Sequence, residues 1–218
     1  RQAFRADLLP AGLSARRGGK GSALFMKKFV KDYYSELGSL FSAVSASGPD
    51  GGKLDFGGGV ALAADLMRAA CGAGRKIMFV GNGASAAISS HLAADYLKNG
   101  GMRALAFNDA ALLTCVSNDI SYSKVFEVPL KAMADAGDLL VAISSSGRSP
   151  NVIAAAKAAS AAGCTVITLT GFSASNPLRR LGAVNFHAPS SLYGHVEIVH
   201  HSICHCILEH IIEGAKKR

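Results

Sequence analysis

The sequence contains no tryptophan, and aromatic residues make up only 7% of it. Few large rings and many alanines suit helices packed closely on a parallel sheet better than they suit a β-sandwich. Hydrophobic residues nonetheless fill 50% of the 218 positions. The chain is therefore long enough and apolar enough for one α/β domain with a sizeable core, and too short for a second full domain.

Cysteine pairs and long hydrophobic runs are also missing. The five cysteines are an odd number, lie in apolar surroundings and include no C-x-x-C pair. This pattern favours buried thiols in a reducing compartment over a disulfide framework. No apolar run approaches the ~20 residues that a membrane span needs. We therefore expect a cytoplasmic protein with no membrane partner.

Acidic residues are too few to balance the basic ones, and the formal net charge is +8. Such an excess can indicate nucleic-acid binding, but residues 1–25 hold five of the 23 basic residues and one of the 15 acids. This stretch has no hydrophobic period and ends at Met26, which can serve as a natural start. We expect residues 1–25 to be an extraneous unfolded leader, residues 26–218 to form a single domain, and nucleic acid not to be a partner.

The stretch 76–96 changes its hydrophobic period at a glycine-rich turn. Residues 77–80 are an apolar run typical of a strand buried on both faces, and residues 84–96 are an alanine-rich helix. The turn Gly81-Asn82-Gly83 lies between them, where free helix N–H groups and Ser85 can bind an anion. His91 and Asp95 lie one turn apart on the helix. Strand-glycine-helix turns also occur without any ligand, so this motif alone is weak.

A second junction of the same kind follows residues 138–143, which read as another buried strand. Four serines come next, before a helix at residues 151–162: Ser144, Ser145, Ser146 and Ser149. A serine-rich turn is often no more than a helix cap. Two such turns after two parallel strands, however, meet at the sheet edge where α/β folds bind ligands.

The last helix, residues 196–213, carries several histidines. Glu197, His201 and His205 recur at steps of four, on one stripe. A lone buried histidine is commonly a satisfied core residue, whereas a carboxylate with several histidines also suits a metal or catalytic site.

The remaining pattern completes an α/β order. Helices are predicted at residues 26–45, 60–70, 110–116 and 122–134, and further strands at 103–107, 165–170 and 184–187. Residues 47–59 are predicted as a loop because of two glycine clusters, and residues 117–119 as a helix break. The two leading helices can either pack against a partner subunit or cover one face of the sheet.

These motifs together resemble the sugar-isomerase (SIS) domain family, and within it the phosphoheptose isomerases, over about residues 26–213. The resemblance rests on the Gly81–Ser85 turn, His91 with Asp95, residues 117–119, the serine turn and the Glu197 to His205 helix. It implies a three-layer, doubly wound, five-stranded parallel sheet with flavodoxin-like winding and extra N-terminal helices. It further implies a homotetramer with active sites at subunit contacts.

The resemblance also assigns residues. Those expected to bind the phosphosugar are Asn82, Gly83, Ala84, Ser85, Asp95, Asn118, Asp119, Ser144, Ser145, Ser146, Ser149 and Glu197. One zinc ion per subunit is expected on His91, Asp95, Glu197 and His205, with Asp95 and His205 as the catalytic proton-transfer pair. His201 lies on the same stripe and is a rival ligand.

The chain departs from the family in having Asp95 for a glutamate and Glu197 for a glutamine, and one residue between Tyr193 and Val196 must be skipped to align the last helix.

The activity that the resemblance implies is ketose–aldose isomerisation of a phosphosugar, sedoheptulose 7-phosphate above all, in heptose synthesis for lipopolysaccharide or capsule. Two alternatives remain open. One is a non-catalytic SIS protein that binds the replication initiator DnaA, although such relatives lack the acid and the histidine. The other is a phosphosugar-sensing regulator, which would normally bring a DNA-binding domain.

Overall fold

The computed structural model describes residues 20–216, with side chains from residue 24 onward. The chain divides into two compact units, Arg1–Gly38 and Ser39–Arg218. A helix, α1 (Lys20–Ala43), contains the described part of the first unit, and its apolar side chains from Leu24 to Val30 are exposed. The predicted leader 1–25 lies outside the described residues except for 20–25, which are helical.

The second unit carries the α/β fold. Its elements in chain order are β1 (Ser45–Ser47), β2 (Lys53–Leu54), α2 (Phe56–Gly72), β3 (Lys76–Gly81), α3 (Ala84–Lys98), β4 (Arg103–Ala106), α4 (Ala110–Asp119), α5 (Glu127–Met133), β5 (Leu139–Ser144), α6 (Pro150–Ala161), β6 (Thr165–Gly171), β7 (Val184–Ala188) and α7 (Tyr193–Lys216). Short 3-10 helices lie at Tyr122–Lys124 and Pro177–Arg180.

The sheet has the strand order β2-β1-β7-β6-β5-β3-β4. Its five strands from β7 to β4 are parallel, and Gly81 of β3 pairs beside Ile143 of β5. Counted by appearance in the chain, these five follow the order 2-1-3-4-5, which is flavodoxin-like winding. The predicted doubly wound, five-stranded parallel sheet is confirmed, and the carboxyl ends of its strands share one edge.

Two short antiparallel strands extend this sheet, and the prediction of a loop over residues 47–59 is wrong in part. β1 pairs with β7, with Ala46 opposite Phe186, and β2 pairs with β1. The helix α2 begins four residues before its predicted start because the Asp55 side chain accepts a hydrogen bond from the Gly58 N–H at 2.8 Å. Three consecutive glycines in the first turn had concealed this start.

Helices cover both faces of the sheet. On one face, α4, α5 and α6 pack over buried side chains such as Met78 and Leu140. On the other face, α2, α3 and α7 pack over the alternate side chains, and Phe79 of β3 contacts Tyr96 of α3 edge to face. The Tyr96 hydroxyl donates to the Cys204 carbonyl at 2.9 Å, which joins α3 to α7. The two helices that carry the predicted histidines are therefore neighbours.

Two further predictions need correction. Residues 117–119 do not break a helix, because α4 continues to Asp119. The five cysteines are all free, as expected, but Cys115 and Cys206 are exposed rather than buried, since each lies on the outer face of its helix. Among the described residues, none of the helices is both long enough and apolar enough to span a bilayer.

Candidate functional site

The turn after β3 is built for a close approach between backbone segments. A side chain at Gly81 would lie 2.6 Å from the Ser85 Cβ, so only glycine fits there. Gly83 adopts φ 57°, in the region that glycine reaches without strain. α3 then begins at Ala84 without a side-chain cap. The Ser85 and Ala86 N–H groups donate to the Asn82 and Gly83 carbonyls, each at 3.0 Å, so the positive end of the helix dipole favours an anion there more than free donors in this turn do.

The serine turn after β5 is held by its own hydroxyl groups. Ser144 Oγ lies 3.2 Å from Ser149 Oγ and accepts from the Gly147 N–H at 3.2 Å. Ser146 Oγ accepts from the Arg148 N–H at 3.2 Å. Ser149 stands at the N-cap of α6 but makes no capping hydrogen bond with its side chain. Its hydroxyl can therefore reach a ligand.

Both turns open into one cavity of about 140 Å³ at the carboxyl edge of the parallel strands. Its lining consists of Asn82, Ser85, Ile143, Ser144, Ser145, Ser146, Ser149, Tyr193 and Glu197. The predicted convergence of the two turns with Glu197 is thus present. The hydroxyl-rich lining suits a phosphate group. Ligand pockets for whole small molecules usually measure ~300 Å³ or more, so this cavity fits part of a phosphosugar.

Two residues of α7, Tyr193 and Glu197, also line this cavity. Burial raises the pKa of Glu197, because removal from water disfavours the charged carboxylate. Tyr193, in the first turn of α7, has its ring 4.8 Å from that of Phe172. Sequence reasoning missed Tyr193 because its position depends on how the start of α7 meets the loop after β6.

A pair of amides joins the two turns. Asn82 donates to Asn151 Oδ1 at 2.9 Å, and Asn151 donates back to Asn82 Oδ1 at 2.8 Å. Tyr122 also donates its hydroxyl to Asn82 Oδ1 at 2.9 Å. Asn151 is only 1% exposed. No role was assigned to Asn151 from the sequence, and it holds the serine turn against the glycine turn.

A cluster of imidazoles lies along the same two helices. The cluster consists of His91 on α3 with His201 and His205 on α7, whose candidate ligand atoms all lie within 4.8 Å of one another. His201 Nε2 and His205 Nε2 are 3.1 Å apart. Asp95 Oδ2 lies 3.2 Å from His91 Nε2 and 3.7 Å from His205 Nδ1. Three of the four predicted metal-site residues therefore meet.

The surroundings of His201 favour its neutral ring. Burial lowers the pKa of His201, and the neighbouring His205 and His91 lower it further, while Asp95 acts in the opposite direction. Neutral imidazole nitrogens beside a carboxylate are a donor set that zinc accepts. The residues present therefore fit a bound zinc ion.

Glu197, the fourth predicted ligand, lines the serine cavity and is not a member of the histidine cluster. Asn118 and Asp119 are exposed at the end of α4 and are not in the cavity lining. Asn118 donates to Asp119 Oδ1 at 2.8 Å, and this bond, with that from the Cys115 thiol, lowers the pKa of Asp119. Gly83 and Ala84 lie at the exposed start of α3.

His200, next to the histidine cluster in sequence, has the structural role that a buried histidine commonly takes. Its side chain is fully buried, and its Nε2 lies 3.0 Å from the Thr170 carbonyl. Burial lowers the pKa of His200 to about 4, despite the opposing effect of that hydrogen bond. One step along α7 therefore separates a core histidine from His201, which faces α3.

Comparison with known proteins identifies the family. A profile described as SIS domain matches residues 57–171. The chain belongs to the SIS-domain family, and within it to the phosphoheptose isomerases. A phosphoheptose isomerase of Shewanella sp. (strain ANA-3) is 34% identical over 160 residues, which cover 70% of this chain and 81% of that protein.

Two further relatives agree with this membership. A phosphoheptose isomerase of Nitratidesulfovibrio vulgaris is 46% identical over 104 residues, 45% of this chain and half the length of that relative. The solved phosphoheptose isomerase GmhA from Neisseria gonorrhoeae superposes with a TM-score of 0.74 at 28% identity, covering 85% of this chain and 98% of the other. The predicted resemblance is confirmed, and so is the prediction of an aldose–ketose isomerase. The DnaA-binding and phosphosugar-sensing alternatives receive no support.

Proposed function

We propose that this protein interconverts sedoheptulose 7-phosphate and D-glycero-D-manno-heptose 7-phosphate. Two features carry the proposal. One is the hydroxyl-lined cavity formed by the serine turn, Ser85 and the start of α7, and the other is the carboxylate–imidazole cluster on α3 and α7. The first supplies a phosphate anchor, and the second supplies groups that transfer protons. An aldose–ketose isomerase needs both.

The phosphate anchor consists of Ser85 and the serine turn, at the starts of two helices. Hydroxyl groups and backbone N–H groups there can surround a dianion, and the helix dipoles favour its charge. Fixing the phosphate at this end positions the distant reacting carbons and makes the reaction effectively intramolecular. Asn82 supports the anchor through Asn151, and Gly83 and Ala84 are proposed to contribute backbone contacts.

The reaction moves a proton between two adjacent carbons through an enediolate. Asp95, as a carboxylate, is suited to remove the proton beside the carbonyl, and His205, 3.7 Å from it, is suited to protonate the oxygen or return the proton. Each of these groups is expected to contribute a factor of ~10² to 10⁴ in rate. Glu197, with its raised pKa, is proposed to hydrogen-bond a substrate hydroxyl in the cavity.

One zinc ion per subunit is proposed at the histidine cluster, where His91 and His205 meet Asp95. When bound, zinc supplies Lewis-acid stabilisation of the enediolate oxygen. Asn118 and Asp119 stay proposed substrate contacts from the exposed end of α4.

The assembly is proposed to be a homotetramer with active sites at subunit contacts. The cavity is too small for a whole heptose phosphate, and α1 exposes apolar side chains at Phe25, Met26 and Phe29. Both observations favour surfaces completed by other subunits. We further propose that residues 26–218 act as one SIS domain in the cytoplasm, in heptose synthesis for lipopolysaccharide or capsule. Light scattering that finds an active monomer would contradict the tetramer.

The direct test is an assay of the purified full chain with sedoheptulose 7-phosphate, with the aldose product detected by chromatography or NMR. The protein should convert the ketose to an equilibrium mixture, and removal of metal by a chelator should lower the rate until zinc is restored. Fructose 6-phosphate, one carbon shorter, is the matched control and should react far more slowly. Absence of conversion in zinc-loaded protein would reject the proposed activity.

A further inference from the structure

On the α7 stripe of Glu197, His201 and His205, either Glu197 or His201 could bind a metal together with His205. The contacts distinguish the two. His201 Nε2 lies 3.1 Å from His205 Nε2. Four-coordinate zinc with Zn–N bonds of ~2.0–2.1 Å holds its ligand nitrogens roughly 3.3 Å apart. The two imidazoles therefore already have nearly the separation that a shared zinc ion needs. Glu197, one turn earlier, instead lines the serine cavity.

The position of Asp95 also bears on the ligand set. Its carboxylate approaches His205 through Nδ1, which is the ring atom on the side away from His201. The same oxygen lies 3.2 Å from His91 Nε2. Histidines that bind metal commonly donate their second ring nitrogen to a carboxylate, which fixes the ring orientation and tautomer. Asp95 is placed for this role beside two members of the histidine cluster, at 3.2 Å from His91 and, just beyond hydrogen-bond distance, at 3.7 Å from His205.

We infer that the metal ligands of this chain are the three imidazoles of His91, His201 and His205, with Asp95 as the carboxylate that orients two of them and Glu197 outside the ligand set. This inference rests on the proposed function for the identity of the metal and its use. Three protein ligands leave the fourth zinc position open for a substrate oxygen, as catalytic zinc sites require.

The ligand set changes the charge of the centre. Three neutral imidazoles with a divalent ion give the centre a net charge of +2, or +1 when the nearby Asp95 carboxylate is counted. Two carboxylates among the ligands would instead cancel the charge of the ion. A net positive centre attracts a developing enediolate more strongly. Asp95, not committed to the metal, keeps its lone pairs for proton transfer, and Glu197 remains available to the sugar. The presence of Glu197 where the family has glutamine should therefore affect binding of the sugar and not binding of the metal.

The test is metal affinity, measured independently of turnover. Full-length protein, stripped of metal, is titrated with zinc against a chromophoric chelator and with Co²⁺, whose visible absorption reports ligand number. His201→Ala should weaken zinc binding by more than the ~10–100-fold that loss of an outer-shell partner typically costs, and it should reduce the Co²⁺ absorption, because a direct ligand is lost. Glu197→Gln should leave both unchanged, and His210→Ala is the matched control because His210 is exposed on the same helix, outside the histidine cluster.

His201→Gln, with circular dichroism, repeats the measurement if His201→Ala fails to fold. Wild-type affinity in either folded His201 variant, loss of zinc in Glu197→Gln, or absence of zinc binding in the wild type would overturn the ligand set. The two proposals fail separately. Zinc binding that depends on His201 without conversion of sedoheptulose 7-phosphate rejects the function alone. Conversion with zinc that depends on Glu197 rejects the ligand set alone.

Discussion

Asn82 and Asn151 exchange two side-chain hydrogen bonds, of 2.9 and 2.8 Å, although 69 residues separate them in the chain. Asn151 Oδ1 also accepts from the Val152 N–H at 3.0 Å, so the amide is fixed at the start of α6. This pair holds the glycine turn and the serine turn at a constant distance. A phosphate bound between the two turns depends on that spacing.

Replacement of Asn151 by alanine should therefore weaken substrate binding indirectly, because Asn151 holds the two turns together. The Asn82 amide loses both partners of the pair, which should cost ~1–3 kcal/mol in the free energy of unfolding and raise KM. Denaturant melts and steady-state kinetics measure the two effects. The double variant Asn82→Ala/Asn151→Ala should lose no more stability than the worse single variant, because both remove the same interaction. Additive losses would show that the pair does not act as a unit.

Replacement of Ser146 and Ser149 by alanine should raise KM at least ~tenfold, because each hydroxyl bond to a charged group contributes ~1.5–3 kcal/mol. The fold should persist, since Ser149 makes no capping bond whose loss would weaken α6. Ser160→Ala is the matched control on the same helix, where the hydroxyl bonds only to the Ala156 carbonyl. An unchanged KM in the double variant would remove the serine turn from the phosphate site.

Local pattern was sufficient to predict the core of this fold. The apolar runs of β3 and β5 and the turns that follow them are continuous in sequence, and the edge at which they meet follows from parallel winding. The hairpin of β1 and β2 could not be predicted in this way. Its strands have three and two residues, too short for a period to show, and they form because β7 offers an unpaired edge.

The site was predictable in composition but not in arrangement. Spacing placed Glu197, His201 and His205 on one stripe, but the rotation of α7 against α3 decides which of them faces His91. That rotation is set by contacts distant in sequence, such as the Tyr96 hydroxyl with the Cys204 carbonyl. Hydrogen-bond partners 69 residues apart, like Asn82 and Asn151, likewise leave no local signal.

Replacement of Asp95 by asparagine should lower kcat by ~10² to 10⁴ while phosphosugar binding persists, because the carboxylate that moves the proton is lost and the serine turn is unchanged. His205→Ala should behave alike. Rates are measured by NMR detection of the product, and binding is measured by calorimetric titration of each variant with sedoheptulose 7-phosphate. Glu209→Gln, an exposed carboxyl on α7, should have wild-type kcat. Full activity in Asp95→Asn would assign the proton transfer to another residue.

The buried carboxylate of Asp138 lies 2.8 Å from the partly exposed ammonium of Lys76, at the amino ends of β5 and β3. Asp138 is fully buried and also accepts from the backbone N–H groups of Lys76 and Asp135, each at 2.8 Å. Burial alone would raise the pKa of Asp138, but these hydrogen bonds outweigh it and hold the pKa below its usual value. Lys76 keeps a second ion pair, with Asp135 at 2.6 Å, when Asp138 is replaced. An asparagine at position 138 retains only one acceptor oxygen for the two backbone N–H groups, so one buried donor loses its partner.

Asp138→Asn should therefore lower the free energy of unfolding by about 3 kcal/mol near neutral pH, because a buried donor loses its acceptor and a charge-assisted hydrogen bond is lost. Because the folded pKa is depressed, the contribution of Asp138 is fully present above its unfolded pKa of ~3.9 and is lost as pH falls through the folded value. Urea melts should thus show a constant difference between wild type and variant from pH 5 to neutrality, on the order of the same 3 kcal/mol, and a narrowing one in stronger acid. Asp65→Asn, which removes the exposed partner of Arg68, is the control and should cost less than ~1 kcal/mol. A difference that widens as the pH falls would contradict the assigned direction of the Asp138 pKa.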